Sequence, residues 1–578
     1  MFDADALAAV ESAGLARVAD VDGVPLLLAG QDGPLTGGLV FRVGQFDETL
    51  ATSGVSHMVE HLALHSQFTS PAQIGGTTMG AFVVFHAAGD ETQVVHFMNE
   101  VCRSLGDLPF GQLETERRIL ECEGSRRGHG RIQAMSLWRF GAQGPGLVAY
   151  REEGIPMLTS EDVANWARTR FTTGNAVAFL TADALPPGLR LALPAGERIP
   201  VTLPPETLPK KPAWFVGDTD GIVLDSIVPR TAAAALFERV FRRALLRSLR
   251  QDLGLSYSAS CDYQRLTGER VRIVVDVDAI AGEDAAVARG VLATLERLEN
   301  GEVDIDDLAA ERDFGNAIMR QPDFIASNLP SLAMDILNGV PSQSVAELIA
   351  ERNEVTAGDI AEVARQFRAD ALAQVANEGL DWADFAPAPT HSDRRVYGSA
   401  HPHWAEPELS LTVTDRGVSV AWPETVATVM FDDCVLLRAY EDGGRVLIGR
   451  DGLTVTVEPA QFRDLDPRAL TEWIDSRVPA RVTKRLPSRS PDEITGIPPH
   501  AVEQTSPKAR TGSMLLLALI IFVFGGTVSA FLLTLNGLGA AWQRGGYVLQ
   551  GWAVTVALAL VVGARAHAAY LNRAKKSG

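Results

Sequence analysis

Cysteine is scarce in this chain: four in 578 residues, at positions 102, 122, 261 and 434, with no Cys-x-x-Cys pair. That spacing excludes a disulfide framework and a thiolate zinc site, and fits reduced thiols in a reducing compartment. Positive charge is also short. Lys and Arg number 52 against 72 Asp and Glu, a net charge of −20, which argues against a nucleic-acid binder. The amino terminus, Met1-Phe2-Asp3-Ala4-Asp5, is acidic and has no apolar stretch, so no secretory signal is expected. Histidine is rare, with 11 residues. The chain is too long for one domain, and its 46% hydrophobic content is enough for several cores.

Two of those few histidines fall in His57-Met58-Val59-Glu60-His61. On a helix, His57 and His61 are four apart and point the same way, so two neutral imidazoles can share one Zn²⁺. Glu60 then lies beside the metal without having to bind it. That suits a general base for water activated by the metal. The order His-x-x-Glu-His is the reverse of the commoner zinc-protease order. Leu39 to Gly44 alternates like a strand, and Thr52 or Ser53 is expected to cap the helix that follows. Val55, Val59, Leu62 and Ala63 give that helix an apolar side. Zinc needs a third protein ligand. The charged stretch Leu113–Glu123 reads as a helix, with Glu116 and Glu123 seven apart on one face. Such a run is ordinarily a solvated surface.

These pieces resemble the pitrilysin/insulinase-type zinc peptidases, in their bacterial branch similar to the mitochondrial processing peptidase. The resemblance rests on the Gly44–Glu48 turn, Ser53-Gly54-Val55-Ser56, the His57–His61 motif and the Glu116/Glu123 pair, and spans residues 15 to 380. It implies that His57, His61 and Glu123 bind zinc, one ion per chain. Glu60 would be the base and Glu116 a supporting carboxylate. A second segment, Leu249-Arg250-Gln251-Asp252-Leu253-Gly254-Leu255-Ser256-Tyr257, is similar to the family's Arg/Tyr segment. By that resemblance Arg250 and Tyr257 contact the substrate carbonyl and the oxyanion. Family members carry an Asn after a Gly-Gly pair, ahead of an edge strand that pairs with substrate. Here Gly75-Gly76 leads to Gly80 in place of that Asn, and Gly80, Ala81 and Phe82 are the expected substrate-binding positions. His65 and His86 are expected to be structural.

The fold class expected is α+β. Residues 1–205 form the metal half and 210–385 a second, similar half, each an antiparallel sheet with helices. Helices are expected over 232–250 and near 283–299, 305–320 and 356–368, with a strand over 271–277. Short strands between residues 409 and 457 and a helix over 467–476 make 405–480 a β-rich module similar to a pleckstrin-homology domain. A Pro/Ser-rich linker covers 481–512. Two uncharged runs, Met514–Leu535 and Tyr547–Ala564, are long enough to span a bilayer, so 513–567 reads as a transmembrane hairpin and 568–578 as a basic tail. Lys508 and Arg510 precede the first span; Arg565, Arg573, Lys575 and Lys576 follow the second; Arg544 stands between them. Both ends and the peptidase are therefore expected in the cytoplasm. The function expected is a membrane-anchored zinc endopeptidase cleaving peptides or unfolded segments, working as a homodimer and binding no nucleic acid. The alternative is a non-catalytic scaffold or assembly subunit on the same fold.

Overall fold

Strands covered on both faces read as unbroken apolar runs. Val24–Leu28 and Ala176–Leu180 are two such runs, with every residue buried. The computed structural model describes residues 4–67, 72–126, 130–377, 384–490 and 493–494. In it these runs lie within a six-stranded sheet of β1 (Arg17–Val21), β2 (Val24–Leu28), β3 (Leu35–Phe41), β4 (Gln73–Thr78), β5 (Val83–Gly89) and β6 (Ala176–Leu180). The spatial order is β1-β2-β6-β3-β5-β4. β3 begins earlier than the Leu39–Gly44 alternation indicates. Gly37 and Gly38 hide its first half, and Gly38 is required because a Cβ there would enter the Phe85 carbonyl.

A second sheet repeats the pattern. It comprises β7 (Ala213–Val216), β8 (Gly221–Pro229), β9 (Ala259–Arg265), β10 (Arg270–Asp278), β11 (Leu372–Val375) and β12 (Ala386–Pro387), in the order β12-β7-β11-β8-β10-β9. The series β2-β6-β3-β5-β4 and β7-β11-β8-β10-β9 match strand for strand. Each has one parallel pair, β2/β6 and β7/β11, among antiparallel neighbours.

The helices of the first half are α1 (Ala4–Ser12), α2 (Val55–Leu64), α3 (Glu91–Gly106), α4 (Leu113–Arg126), α5 (Arg131–Phe140) and α6 (Ser160–Arg170). The halves exchange helices, so the boundary at 205–210 does not separate their cores. Met135, Ile132 and Trp138 of α5 pack on the second sheet against Ala213, Phe215, Val223 and Leu372. In return, Leu329, Ala333, Ile336 and Leu337 of helix Leu329–Leu337 cover Val40, Val84, Val177 and Phe179 of the first sheet. The expected helix over 232–250 is α-helical only over Ala232–Leu245 and continues as a π-helical segment over Leu246–Asp252. The helices Ile305–Met319 and Ala357–Asp370 lie close to expectation, whereas Leu329–Leu337 and Val345–Glu354 were not anticipated.

The β-rich module consists of two four-stranded sheets. One contains β13 (Ala400–Pro402), β14 (Ser410–Val413), β15 (Gly417–Ala421) and β16 (Val426–Met430). The other contains β17 (Cys434–Tyr440), β18 (Arg445–Gly449), β19 (Thr454–Val457) and β20 (Thr483–Leu486). Their inner faces and Ile474 of helix Pro467–Arg477 share one core. β20 pairs in parallel with β17, so the module runs past residue 480 into the expected linker. Among the described residues, no helix is long and apolar enough to cross a membrane. The expected hairpin at 513–567 and the tail at 568–578 lie outside the described residues.

Candidate metal centre

Helix α2 begins at Gly54, whose φ of +92° favours glycine. The predicted Thr52 or Ser53 cap is not used. Instead Glu48 reaches back from the preceding turn and accepts from Gly54 N (2.7 Å) and Ser56 N (2.8 Å). A carboxylate at a helix N-terminus satisfies amides that lack intrahelical partners. Burial pushes the Glu48 carboxyl up to about 8, against the lowering pull of those amides and with a rise from nearby Glu152. Val55, Met58, Val59 and Leu62 anchor α2 in the core of the first half. His57, Glu60 and His61 therefore occupy the opposite face, one helical turn wide.

Helix α4 supplies the carboxylates to this face. His57 Nε2 and His61 Nε2 each stand 3.9 Å from an oxygen of Glu123. The three donor atoms lie within 4.8 Å of one another, the one group of this kind among the described residues. Donors at zinc distances on a tetrahedron are about 3.4 Å apart, so the three side chains would draw inward to close on an ion. The other ring nitrogens are already engaged. His57 Nδ1 is 3.0 Å from Glu152 Oε1, and His61 Nδ1 is 3.0 Å from Glu116 Oε2. An ionised carboxylate only accepts, so both Nδ1 atoms carry the proton and both Nε2 lone pairs face Glu123. The donor set fits a divalent zinc ion. Three carboxylates, Glu116, Glu123 and Glu152, face the two imidazoles, with Glu60 on the same helix, a cluster that a cation would neutralise.

Glu60 is buried and does not join the donor group. Thr78 Oγ1 donates to its Oε2 at 2.7 Å. A Cβ at Gly76 would fall inside contact distance of Glu60 Oε1 and of Leu64. Gly76 and Thr78 both lie on β4, the terminal strand of its sheet. The edge strand is thus Gln73–Thr78 and includes the Gly-Gly pair. Gly80, Ala81 and Phe82 do not lie on it. They form the turn into β5, where Ala81 and Phe82 are buried and Gly80 packs against the Phe46 ring. His86 sits across from Gly75 on β5 and covers it.

Arg250 and Tyr257 meet each other, with the guanidinium 5.0 Å from the ring centroid. Tyr257 is 74% exposed, and its amide donates to Asp278. Among the described residues, neither side chain forms a hydrogen bond or ring contact with α2 or α4.

His65, expected to be structural, lies with Nδ1 2.6 Å from Glu116 Oε1, so Glu116 bridges His61 and His65. Sequence reasoning missed two participants, Thr78 and Glu152. Thr78 follows Gly76 with the period of a strand, which puts both on one face. Glu152 gave no such signal: it lies 29 residues beyond Glu123 in an irregular loop.

No protein-family model and no curated protein matches the chain. Solved structures do match its fold. A protease from Helicobacter pylori aligns with a TM-score of 0.53 at 15% identity, over 63% of this chain and 99% of that one. An M16 peptidase inactive domain from Pseudomonas fluorescens aligns at 0.52 and 14% identity, over 62% and 97%. The periplasmic protease PqqL from Escherichia coli aligns at 0.51 and 14% identity, over 75% of this chain and 55% of its own. The chain has the fold of these M16-type proteins.

Proposed function

We propose that this chain is a zinc metalloendopeptidase acting on peptides or unfolded segments. The observation that carries this reading is the convergence of His57 Nε2, His61 Nε2 and the Glu123 carboxylate beside a buried, non-ligating Glu60. A zinc ion held by those three residues would supply Lewis acidity, activating water near neutral pH and polarising the scissile carbonyl. Glu60 removes a proton from the attacking water while Thr78 holds its far oxygen in place. The hydroxyl adds to the carbonyl carbon, the C–N bond breaks, and Glu60 returns the proton to the departing nitrogen. A substrate segment adds to β4 as a further strand. Because Gly76 and Thr78 flank Glu60, that segment would pass along the base. Glu116 and Glu152 orient the two imidazoles.

The test is metal analysis and cleavage of a denatured protein by the wild type and Glu60→Gln. We expect one zinc in each, and a loss of hydrolysis of about 10²–10⁴-fold in the variant. Loss of zinc together with activity would mean that Glu60 is misassigned. A zinc-loaded wild type that cleaves nothing favours the scaffold reading.

We further place the peptidase on the cytoplasmic face of a membrane, held by the hairpin at 513–567. Support comes from the two uncharged runs and the basic residues outside them. A reporter fused after Gly578 that works only outside the cytoplasm should stay silent; a signal would reverse the topology.

A further inference from the structure

The loop from Glu152 to Leu158 joins the metal centre to the β module. Glu152 holds His57 Nδ1, and its φ of +36° is left-handed, which a glutamate seldom adopts without restraint. One side of the loop is fastened to the peptidase half. Gly154 N donates to Ser53 Oγ at 3.2 Å, and a Cβ at Gly154 would enter the Thr52–Ser53 backbone. Arg117 of α4 donates to the carbonyls of Ile155 and Leu158.

The other side is fastened to the module. Glu153 accepts from Arg438 of β17 at 2.7 Å and from Lys484 of β20 at 2.6 Å. All three side chains are largely buried. Burial would raise the Glu153 pKa, but Arg438 and Lys484 outweigh it and hold the carboxyl below its usual range. Around this triad, Leu50, Ala51, Ala142 and Leu147 pack against Leu436 and Ile448 of the module. Consecutive glutamates therefore face opposite ways, one to a histidine of the metal group and one to the module.

We propose that the β module clamps the metal centre: Arg438 and Lys484 hold Glu153, which fixes the left-handed turn that aims Glu152 at His57. Both are positioning residues, and the inference rests on reading His57, His61 and Glu123 as zinc ligands. Without its two cations, Glu153 is a buried unpaired carboxylate that must move toward water, and Glu152 moves with it. Coupling of this kind is reciprocal. Zinc should tighten the module's docking as the docking tightens zinc.

The experiment uses the full chain and reads zinc affinity by competition with a chromophoric chelator. Glu152→Gln should weaken zinc about 10–100-fold, as loss of a partner to a metal-binding histidine typically does. Arg438→Met/Lys484→Met should weaken it about tenfold, and Arg438→Lys, which keeps the charge, should stay within about twofold of wild type. The cobalt(II)-loaded double variant should show an altered visible spectrum. Hydrogen exchange in Cys434–Tyr440 should slow on adding zinc to the wild type and not in the double variant. Melting of the chelated proteins checks folding; should the double variant fail to fold, Glu153→Gln carries the same expectation. Weakening by Glu152→Gln with unchanged affinity in the double variant or in Glu153→Gln overturns the clamp alone. A wild type that binds no zinc overturns the clamp and the metal reading together.

Discussion

Gly76 lacks a side chain where Glu60 needs room. Gly76→Ala would put a methyl group against Glu60 Oε1 and Leu64, pushing the carboxylate off Thr78. We expect zinc to stay bound and hydrolysis to fall about 10²-fold, since an ångström of misplacement costs that much; equal turnover by the alanine variant would show that Glu60 is not held there. Glu48 makes a prediction about pH. Its carboxyl is raised from an ordinary 4.5 to about 8 by burial. The folded state therefore holds that proton more tightly than the unfolded chain. The resulting stabilisation is complete below pH 4.5 and is lost as pH rises through 8. It amounts to as much as about 5 kcal/mol. In the metal-free protein, Glu48→Gln should flatten the fall in melting temperature between pH 6 and 9; parallel curves for variant and wild type would refute the assignment. The His57, Glu60 and His61 face was legible because i, i+3 and i+4 spacing defines it. Glu152 was not, because its position depends on a loop path that no periodicity encodes.

At the scale of elements, what the sequence shows is periodicity and what it hides is the packing partner. Ala357–Asp370 is legible from its apolar spacing, with Ile360, Val363, Ala364 and Phe367 on its buried side, whereas nothing in α5 indicates that its apolar face belongs on the second sheet. Its Arg139 resembles a surface charge in sequence yet is wholly buried. It donates to Asp225 (2.7 Å), Asp370 (3.0 Å) and Glu206 (2.9 Å). Arg272 donates to the other oxygen of Asp225 at 2.6 Å. Burial would raise the Asp225 pKa, but Arg139 and Arg272 outweigh it and hold the carboxyl below its usual range. Arg139→Met would leave Asp225 with one partner and remove a cation from Asp370 and Glu206. Removing one member of a buried pair costs about 3–5 kcal/mol. Urea denaturation should show a loss of that size, and a change below about 1 kcal/mol would mean that the exchanged helix is held by its apolar contacts alone.

At the scale of the molecule, the two halves share a topology but not a chemistry. Helix Ala232–Leu245 connects β8 to β9 as α2 connects β3 to β4, yet its sequence AAAALFERVFRRAL contains no histidine. Among the described residues there is therefore one metal group, and the second half brings Arg250 and Tyr257 to an exposed surface instead. The resemblance implies that a zinc half faces the Arg/Tyr half of an opposite pair. The described residues hold one pair, and we propose that a second copy in a twofold dimer completes two sites at once. Mixing inactive Glu60→Gln chains with inactive Tyr257→Phe chains tests this arrangement. In a mixed dimer, the Tyr257→Phe chain contributes an intact Glu60 and its partner an intact Tyr257, which completes one site of two. Half the dimers are mixed after random exchange, so activity should return to about a quarter of wild type. Mixed dimers that form and remain inactive would mean that each site is built within one chain.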